Sequence, residues 1–478
     1  MTQTLTRPEQ QSEMTAAGRA IVIGGGLAGM AAAVALESAG VSVTLVEMRK
    51  SLGGRASSFV DPQSGEELDN CQHLLLGCCT NLRDFYKRMG VMDRIRWERT
   101  VHFRDARGQH DLWRMGGLPA PLHLGAGMVG FGVLSVKQRW ALVQAMMAMI
   151  RLGRKGREEL ADVEFGTWLN EYGQDGGLID RFYDPVLRGA LNEEPRKASA
   201  KYAIQVFQEA MLVNAAGHVM GLPVCPLGEL YRNAPCGDVR CGVRVAGLRF
   251  AGTGVSGVEL ADGQVLVGDV YVLAVNHHMV SKWLPAELAR GDERFGGLEK
   301  LKSVPILGAH LWFDRPVMAQ SHAVLLEGPL QWVFRKDRAG RVLHGVISAA
   351  REWADRSREE CLAAFEAQIH RLLPAAREAK LERGLVVVEK RATFSPVPGV
   401  DRWRPMQTPP PGGIGNLFLA GDYTRTDWPA TMEGAVRSGY LAAEGVAEKL
   451  GENHGSGARF LVDGLEPQWP WRLLTGRR

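Results

Sequence analysis

The chain has 478 residues and a mass of 52.3 kDa, which is too long for one compact core of ordinary size and indicates about two to four structural units. Apolar residues make up 45% and charged residues 23%, proportions that exclude a disordered protein, a collagen and a polytopic membrane protein. The formal net charge of +4 argues against nucleic acid as a partner, because phosphate binding requires a concentrated basic face.

The first region with recognisable chemistry lies between residues 19 and 47. A short apolar run at 21–23 predicts a buried parallel strand, and a G-x-G-x-x-G motif then opens an alanine-rich helix. A second strand ends at Glu47, which completes the βαβ context of a dinucleotide-binding fingerprint. Glu47 is expected to accept hydrogen bonds from the adenosine ribose hydroxyls. The residues predicted to bind the pyrophosphate at the helix N terminus are Gly24, Gly26, Leu27, Ala28 and Gly29.

A second glycine pair follows directly, in the segment 51–55, which reads S-L-G-G-R. A fixed cation so close to the adenosine strand suits a long cofactor whose pyrophosphate lies deep, which favours FAD over NAD. The G-G-R segment resembles the signature of the amine oxidase and carotenoid desaturase superfamily of FAD flavoproteins. The resemblance implies that Gly53, Gly54 and Arg55 contact FAD.

The middle of the chain contains an uncharged stretch, 116–136, with six glycines and two prolines. This composition argues against a membrane-spanning helix. The next segment, 137–157, is predicted as an apolar helix with cations at both ends. A glycine-rich apolar hairpin before such a helix is typical of monotopic insertion at a membrane interface, and an ordinary wall of a substrate domain is the alternative. Trp469 and Trp471 offer a second place to dock on a surface or membrane.

Two later regions complete the predicted cofactor domain. Residues 239–275 read as short strands, including a hairpin over 257–265 that turns at Asp262-Gly263. A buried strand then ends at Asp422, and in the superfamily the matching aspartate contacts the ribityl chain or the pyrophosphate region. The following helix, which begins near Thr431, would point its N terminus at the flavin pyrimidine and stabilise negative charge there. The residues assigned to FAD in this region are Gly421, Asp422, Thr431, Met432 and Glu433.

One segment points to a narrower group of flavoproteins. Residues 69–77 read D-N-C-Q-H-L-L-L-G and resemble the D-N-G-Q-H-L-L-L-G of the FAD-dependent hydroxysqualene dehydroxylases of bacterial hopanoid synthesis. Three further segments resemble that family: R-A-T-F-S at 391–395, L-F-L-A-G-D-Y at 417–423 and W-P-A-T-M-E-G-A-V-R-S-G at 428–439. Plant-type phytoene desaturases share related segments and are the alternative. Cys71 and the pair Cys78-Cys79 depart from the family pattern, which affects the expected local shape near the flavin.

The resemblance implies an α/β fold with a Rossmann-type FAD-binding domain, a discontinuous domain similar to that of the glutathione reductase 2 class. Into it are inserted an α+β substrate domain and a helical part that contacts the membrane. The FAD-binding parts are predicted at 18–105, 225–280 and 385–450, and the substrate or membrane-contact parts at 106–224 and 281–384. Residues 1–17 are expected to be disordered, and 451–478 to form a poorly ordered C-terminal tail.

The resemblance also implies a reaction, the removal of the allylic hydroxyl of hydroxysqualene to give squalene with FADH2 as reductant. Such a site requires an acid, an apolar tunnel and exclusion of water. His73 is the first candidate to act as the acid or to position the hydroxyl, because imidazole can carry a proton near neutral pH; a purely structural histidine is the alternative. Asp427, Tyr423 and Arg55 are weaker candidates. No metal is expected, because His277-His278 has no evident third ligand.

Two alternative functions remain open from the sequence. A phytoene-type desaturase would run the flavin oxidatively and require a quinone acceptor, whereas a non-catalytic membrane-associated flavoprotein would bind FAD without turnover. The expected partners are a hydrophobic isoprenoid substrate and a membrane surface, with the redox partner unidentified. The lack of an apolar signal region before Arg19 and seven cysteines without C-x-x-C favour a cytoplasmic protein, peripheral on the inner face of the cytoplasmic membrane.

Overall fold

The computed structural model describes residues 18–105, 110–451 and 458–476. The expected disorder of residues 1–17 lies outside the described residues. The tail differs from the expectation over 458–476, because this stretch is ordered. The backbone N–H groups of Phe460 and Leu461 donate to Glu444 at 2.6 and 2.7 Å, which attaches the tail to the last long helix.

The described residues form twenty β-strands, which in chain order are β1 (Arg19–Ile23), β2 (Ser42–Glu47), β3 (Ser58–Val60), β4 (Glu67–Asp69), β5 (Leu75–Leu76), β6 (Ile95–Glu98), β7 (Thr100–Arg104), β8 (His110–Arg114), β9 (Met220–Pro223), β10 (Asp238–Cys241), β11 (Val245–Ala251), β12 (Gly254–Leu260), β13 (Val265–Leu266), β14 (Val270–Leu273), β15 (Ser303–Phe313), β16 (His322–Leu325), β17 (Trp332–Arg335), β18 (Val342–Ile347), β19 (Leu381–Phe394) and β20 (Leu417–Leu419).

The same described residues form thirteen α-helices: α1 (Leu27–Ser38), α2 (Thr80–Arg88), α3 (Gly125–Gly130), α4 (Val136–Gly156), α5 (Phe165–Glu171), α6 (Gly176–Leu178), α7 (Asp184–Leu191), α8 (Ala200–Phe207), α9 (His277–Val280), α10 (Ala286–Gly291), α11 (Arg358–Leu372), α12 (Met432–Gly451) and α13 (Trp469–Leu474). Two π-helical turns, Ile179–Tyr183 and Gln208–Leu212, adjoin α7 and α8.

The first layer is a five-stranded parallel sheet in the order β10-β2-β1-β14-β20. Alternate residues of its strands face opposite sides. On β1, Ala20 and Val22 pack against α1 and α12, whereas Ile21 and Ile23 pack toward the antiparallel sheet β11-β12-β13. A Cβ at Gly439 of α12 would lie 2.3 Å from the carbonyl oxygen of Ala28, so this glycine lets the two helices touch. The parallel sheet covered by α1 and α12 confirms the predicted Rossmann-type fold.

The second layer is a seven-stranded mixed sheet in the order β19-β15-β18-β17-β16-β7-β8. On one face, Leu307 and Leu343 pack against Phe365 of α11. The opposite face carries His310 and His344 and meets the segment that follows β4. The predicted domain boundaries at 105/106 and 384/385 need correction, because this sheet takes strands from both sides of each boundary. β7 and β8 lie on either side of 105/106, and β19 runs across 384/385.

The helical part comprises α3 to α8 around a core of aromatic side chains such as Phe165, Phe182 and Phe207. The predicted apolar helix is α4, which begins with a capping box between Ser135 and Gln138. The hairpin expected over 116–136 is wrong. That stretch forms a helical turn and α3 instead, because its prolines lack the N–H groups that a strand ladder needs. Within the described part of the chain, no helix combines the length and the apolar character needed to cross a membrane.

Candidate functional site: a dinucleotide cradle and a histidine-lined wall

The N terminus of α1 forms the floor of the site. Gly24 has a φ of +109°, and a Cβ there would lie 2.4 Å from the carbonyl oxygen of Ala274. Gly26 is open instead, since the nearest described atom to a Cβ there is the Cα of Gly54 at 3.9 Å. Among the described residues, no side chain caps α1. Its first N–H groups and the positive end of its dipole are thus available to a phosphate.

Glu47 lies beside this helix end, at the carboxyl end of β2. Its Oε2 accepts a hydrogen bond from the backbone N–H of Gly25 at 2.6 Å, and its Oε1 accepts one from the backbone N–H of Arg49 at 2.7 Å. Glu47 is buried, so these two bonds fix the direction of its carboxylate. An ionised carboxylate has about four lone-pair sites, which leaves acceptor capacity for ribose hydroxyls.

The second glycine pair closes over the first. The N–H of Gly53 donates to the carbonyl oxygen of Gly25 at 2.8 Å, and a Cβ at Gly54 would lie 3.0 Å from the Cα of Gly26. Two stretches of bare backbone therefore face one another at the helix N terminus. The structure brings the two predicted glycine motifs together in one cradle whose shape and donors suit a pyrophosphate.

Arg55 and Asp422 form an ion pair at the inner end of the cradle. The Nη2 of Arg55 lies 2.7 Å from the Oδ1 of Asp422, and Nη1 donates to the carbonyl oxygen of Ala392. Asp422 is 7% exposed. Arg55 thus joins the G-G-R and G-D-Y segments, both predicted to bind FAD, and also contacts the R-A-T-F-S segment.

Tyr423 lies next to this pair, with its ring 5.6 Å from that of His277. Its hydroxyl is buried and has no hydrogen-bond partner in the described part of the chain. Burial raises the pKa of this hydroxyl, so it remains a donor. A buried donor without a partner costs about 1–3 kcal/mol. A bound ligand with acceptor atoms would satisfy it, and the cradle and this hydroxyl together fit FAD.

His73 is half-buried and lies near enough to Arg55 to feel its charge. Its Nδ1 lies 3.0 Å from the carbonyl oxygen of Cys71, and because a carbonyl only accepts, Nδ1 carries the proton. The neutral ring therefore presents the lone pair of Nε2. Burial lowers the pKa of His73, and the nearby charges of Arg55 and Lys336 lower it further. Cys71 is buried, and burial raises the pKa of its thiol to about 12, so this departure from the family pattern adds no charge.

Two histidines that sequence reasoning missed lie behind His73, on the sheet face that meets the Asp69–Leu76 segment. The Nε2 of His310 lies 2.9 Å from the carbonyl oxygen of Asp69. The ring of His344 stands edge-on to that of His310, with centroids 4.2 Å apart. His344 is fully buried, and neither of its ring nitrogens has a partner among the described residues. Burial and the charge of His310 hold the pKa of His344 well below its usual range.

A lysine completes this wall. The Nζ of Lys336 lies 2.8 Å from the Oδ2 of Asp69 and 3.1 Å from the Oε1 of Gln72. Asp69 also accepts from the hydroxyl of Ser58 at 2.9 Å. These bonds hold the D-N-C-Q-H segment against the sheet. His73, His310, His344 and Lys336 are called the histidine wall below.

Arg404 was also missed, and it shapes the loop after β20. Its buried guanidinium donates to the carbonyl oxygens of Asp422 and Thr424 and to the hydroxyl of Thr426. Arg404 belongs to no sequence motif. Its role is evident only from the structure, which shows that its guanidinium is buried and bonded to the loop. Arg404 is a positioning residue, because it contacts the loop rather than the cradle.

The remaining predicted site residues lie around the start of α12. Asp427 is exposed, has a φ of +58° and accepts a bond at its main-chain oxygen from Gln205 at 2.8 Å. The hydroxyl of Thr431 accepts from the N–H of Gly434 at 3.1 Å and so caps α12. The carboxylate of Glu433 accepts from the backbone N–H of Leu82 at 2.8 Å, so it faces the N terminus of α2. Met432 begins α12 and packs against the core of the five-stranded sheet.

The rings of His277 and His278 lie 4.0 Å apart and are tilted by 38°. They form separate hydrogen bonds, His277 to the carbonyl oxygen of Leu301 and His278 to the hydroxyl of Ser303. Burial and the charge of His278 lower the pKa of His277 to about 4. No cluster of three potential metal ligands occurs in residues 18–105, 110–451 or 458–476.

Fold and site together define an FAD-binding oxidoreductase. The chain matches the model of the flavin containing amine oxidoreductases over residues 27–447. It therefore belongs to this family, and FAD is its cofactor.

Curated relatives narrow the group further. The 15-cis-phytoene desaturase of Synechococcus elongatus is 26% identical over 468 residues, which cover 91% of this chain and 97% of that protein. The hydroxysqualene dehydroxylase of Sinorhizobium fredii is 27% identical over 437 residues, covering 88% of this chain and 97% of that protein. The chain is thus a flavin oxidoreductase of the group that contains phytoene desaturases and hydroxysqualene dehydroxylases.

Solved structures agree with the fold. Cyclohexylamine oxidase from Brevibacterium oxydans superimposes with a TM-score of 0.65 at 17% identity, covering 91% of this chain and 99% of that chain. Putrescine oxidase bound to putrescine gives a TM-score of 0.65 at 16% identity, covering 89% and 98%. At this identity the likeness concerns the fold alone.

Proposed function

We propose that this chain is a hydroxysqualene dehydroxylase, which replaces the allylic hydroxyl of hydroxysqualene by hydrogen. In the balanced step, the substrate oxygen takes a proton and leaves as water, and the carbon takes a hydride. When bound, reduced FAD supplies that hydride and is oxidised. The chain's own residues must then bind the hydroxyl, deliver a proton to it and exclude water.

The observation that carries the proposal is the histidine wall. A substrate that is only a hydrocarbon offers no hydrogen-bonding atom, and the same sheet face is otherwise lined by apolar side chains such as Phe334 and Val346. His344, however, keeps two buried ring nitrogens that the described residues leave unpaired. An alcohol both donates and accepts, so it is the kind of ligand that such imidazoles require.

His73 is proposed as the residue that binds and protonates the hydroxyl. Its Nδ1 is held by the carbonyl of Cys71, so Nε2 is the atom left to face the substrate. Neutral Nε2 accepts a hydrogen bond from the alcohol, and the protonated ring donates to its oxygen. Because the pKa of His73 is lowered, its protonated form is scarce at neutral pH but is a strong acid when formed.

Phytoene desaturation is the second candidate, favoured by the relatives named 15-cis-phytoene desaturase that match 90–93% of this chain, among them the Synechococcus protein at 91%. It uses the same cofactor in the opposite direction, since the substrate would lose a hydride to oxidised FAD and a proton to a base. Its hydrocarbon substrate has no hydroxyl for the histidine wall to bind. A flavoprotein without turnover would bind FAD and respond to neither substrate.

The test is anaerobic and single-turnover. The purified holoprotein is reduced with dithionite, hydroxysqualene is added in detergent, and the absorbance of the oxidised flavin is followed while squalene is extracted. We expect one squalene per flavin oxidised, and loss of this signal in His73→Ala but not in His370→Ala, a histidine of α11 far from the cradle. If reduced flavin persists while phytoene bleaches the oxidised flavin, the desaturase assignment replaces ours.

A further inference from the structure

The described surface carries a group of exposed apolar side chains around α3 and the start of α4. Val129 is 78% exposed, Val136 75% and Trp140 64%. Leu118 and Leu122, in the turn that leads into α3, are also exposed. Since α3 and α4 bury their other faces in the aromatic core, these side chains form an outward face without a described neighbour over it.

The C-terminal helix α13 extends this face. The Oε1 of Gln468 accepts from the N–H groups of Ala120 and Ala215, at 2.5 and 3.1 Å, which fixes the start of α13 beside the turn. Trp471 is buried, whereas Trp469 and Leu473 are 61% and 73% exposed. One tryptophan thus anchors the helix to the protein, and the other points away from it.

The charges on the α4 part of this face are all basic. Residues 112–157 contain seven lysines and arginines and no aspartate or glutamate. Lys137, Arg151 and Lys155 are exposed on α4, whereas Arg472 of α13 lies 3.4 Å from the carboxylate of Glu466. Apolar side chains with a tryptophan, bordered by cations, are the composition of a surface that lies in the interface of an anionic bilayer.

We propose that α3, the start of α4 and α13 form a single surface that docks on an anionic lipid bilayer. The apolar side chains enter the boundary between head groups and acyl chains, and the cations contact the head groups. Docking in this way gives an isoprenoid substrate of the proposed reaction a route from the lipid. Because α13 contributes Trp469 and Leu473, the C-terminal tail becomes part of the membrane-binding surface that the sequence predicts for residues 116–157.

The test is co-sedimentation of the full-length holoprotein with vesicles of phosphatidylcholine alone or mixed equally with phosphatidylglycerol. We expect binding to the mixed vesicles that weakens at high salt, because head-group attraction is screened. The double variants Val129→Ser/Val136→Ser and Trp469→Ser/Leu473→Ser should each lower the partition coefficient by about tenfold or more. Val60→Ser and Trp403→Ser, exposed elsewhere at 67% and 40%, are the matched controls and should bind like the parent.

Three results would overturn the proposal: no vesicle binding, equal binding by all variants, or a dimer in sedimentation velocity that the Trp469→Ser/Leu473→Ser variant abolishes. The last would show that a second copy covers the face. Vesicle binding requires no substrate, and turnover in detergent requires no vesicle, so failure of the docking surface and failure of the proposed reaction are separable.

Discussion

Arg55 and Asp422 are 367 positions apart in the chain, and their side chains meet at 2.7 Å beside the dinucleotide cradle. We expect Arg55→Ala to lower the free energy of unfolding by about 2 kcal/mol, below the usual cost of breaking a buried pair because Arg55 is partly exposed. The loss of bound FAD should be larger than the loss of stability. Flavin content and thermal melting measure the two effects, and Arg315→Ala, which removes an exposed pair with Asp314, should change neither.

Gly26 and Gly29 allow the cradle to be tested apart from the fold. Gly26→Ala adds a Cβ to open space, so the protein should fold normally but lose most of its FAD. Gly29→Ala places a Cβ 1.9 Å from the carbonyl oxygen of Gly24 and should prevent folding of the domain. Circular dichroism and flavin absorbance distinguish the two. Full FAD occupancy in Gly26→Ala would contradict the assigned phosphate site.

The pH profile of turnover tests His73. Since its pKa is below the ordinary value, the protonated fraction rises as the pH falls from neutrality, and we expect the single-turnover rate to rise with it. The profile should flatten in His73→Gln, which keeps a hydrogen bond but carries no proton. A profile unchanged by the substitution would leave His73 as a structural residue.

Acid should destabilise the fold through its buried histidines. The pKa of His277 is about 4 in the folded protein, against 6.5 for an ordinary histidine, so the unfolded chain binds the proton more tightly. Stability is therefore complete above about pH 6.5 and is lost as the pH falls toward 4, by about 3 kcal/mol at pH 4 for this residue alone. Urea unfolding at pH 7.5 and 5 measures the change. His277→Asn should reduce the pH dependence, whereas stability that rises on acidification would contradict this account.

His344→Leu tests whether the histidine wall serves function at the expense of stability. The substitution removes two unpaired ring nitrogens and keeps an apolar side chain of similar size, so the free energy of unfolding should stay the same or rise by about 1 kcal/mol. Turnover of an alcohol should fall, and FAD binding should persist. A marked loss of stability would mean that His344 has a structural partner.

Sequence reasoning found the parts of the site that are local. The cradle glycines and Glu47 follow one another within 30 residues, and each has a steric or hydrogen-bonding reason to be where it is. His310 and His344 escaped notice because they come together only when β15 pairs with β18. The sequence of either strand alone does not show whether its histidine lies on the buried face of the sheet or on the opposite face.

The predicted domain boundary at 384/385 was wrong for a similar reason. The apolar run 385–388 of β19 is compatible with either sheet, and only the pairing with β15 decides between them. Arg404 gave no signal because a buried cation that bonds to carbonyl oxygens has no sequence pattern of its own. The prediction of a hairpin over 116–136 gave too little weight to Pro119 and Pro121, which cannot donate the backbone hydrogen bonds of a strand ladder.

The strand order β10-β2-β1-β14-β20 has a consequence for biogenesis. As the chain leaves the ribosome, β1 and β2 emerge early, but β14 follows about 250 residues later and β20 later still. The nascent flavin domain thus exposes an unpaired edge of β1 during most of translation. The pairing of β14 with β20 and the ion pair between Arg55 and Asp422 can form only after residue 422 has been made. We therefore expect FAD to bind late in synthesis, and a chain truncated before β20 to lack bound flavin.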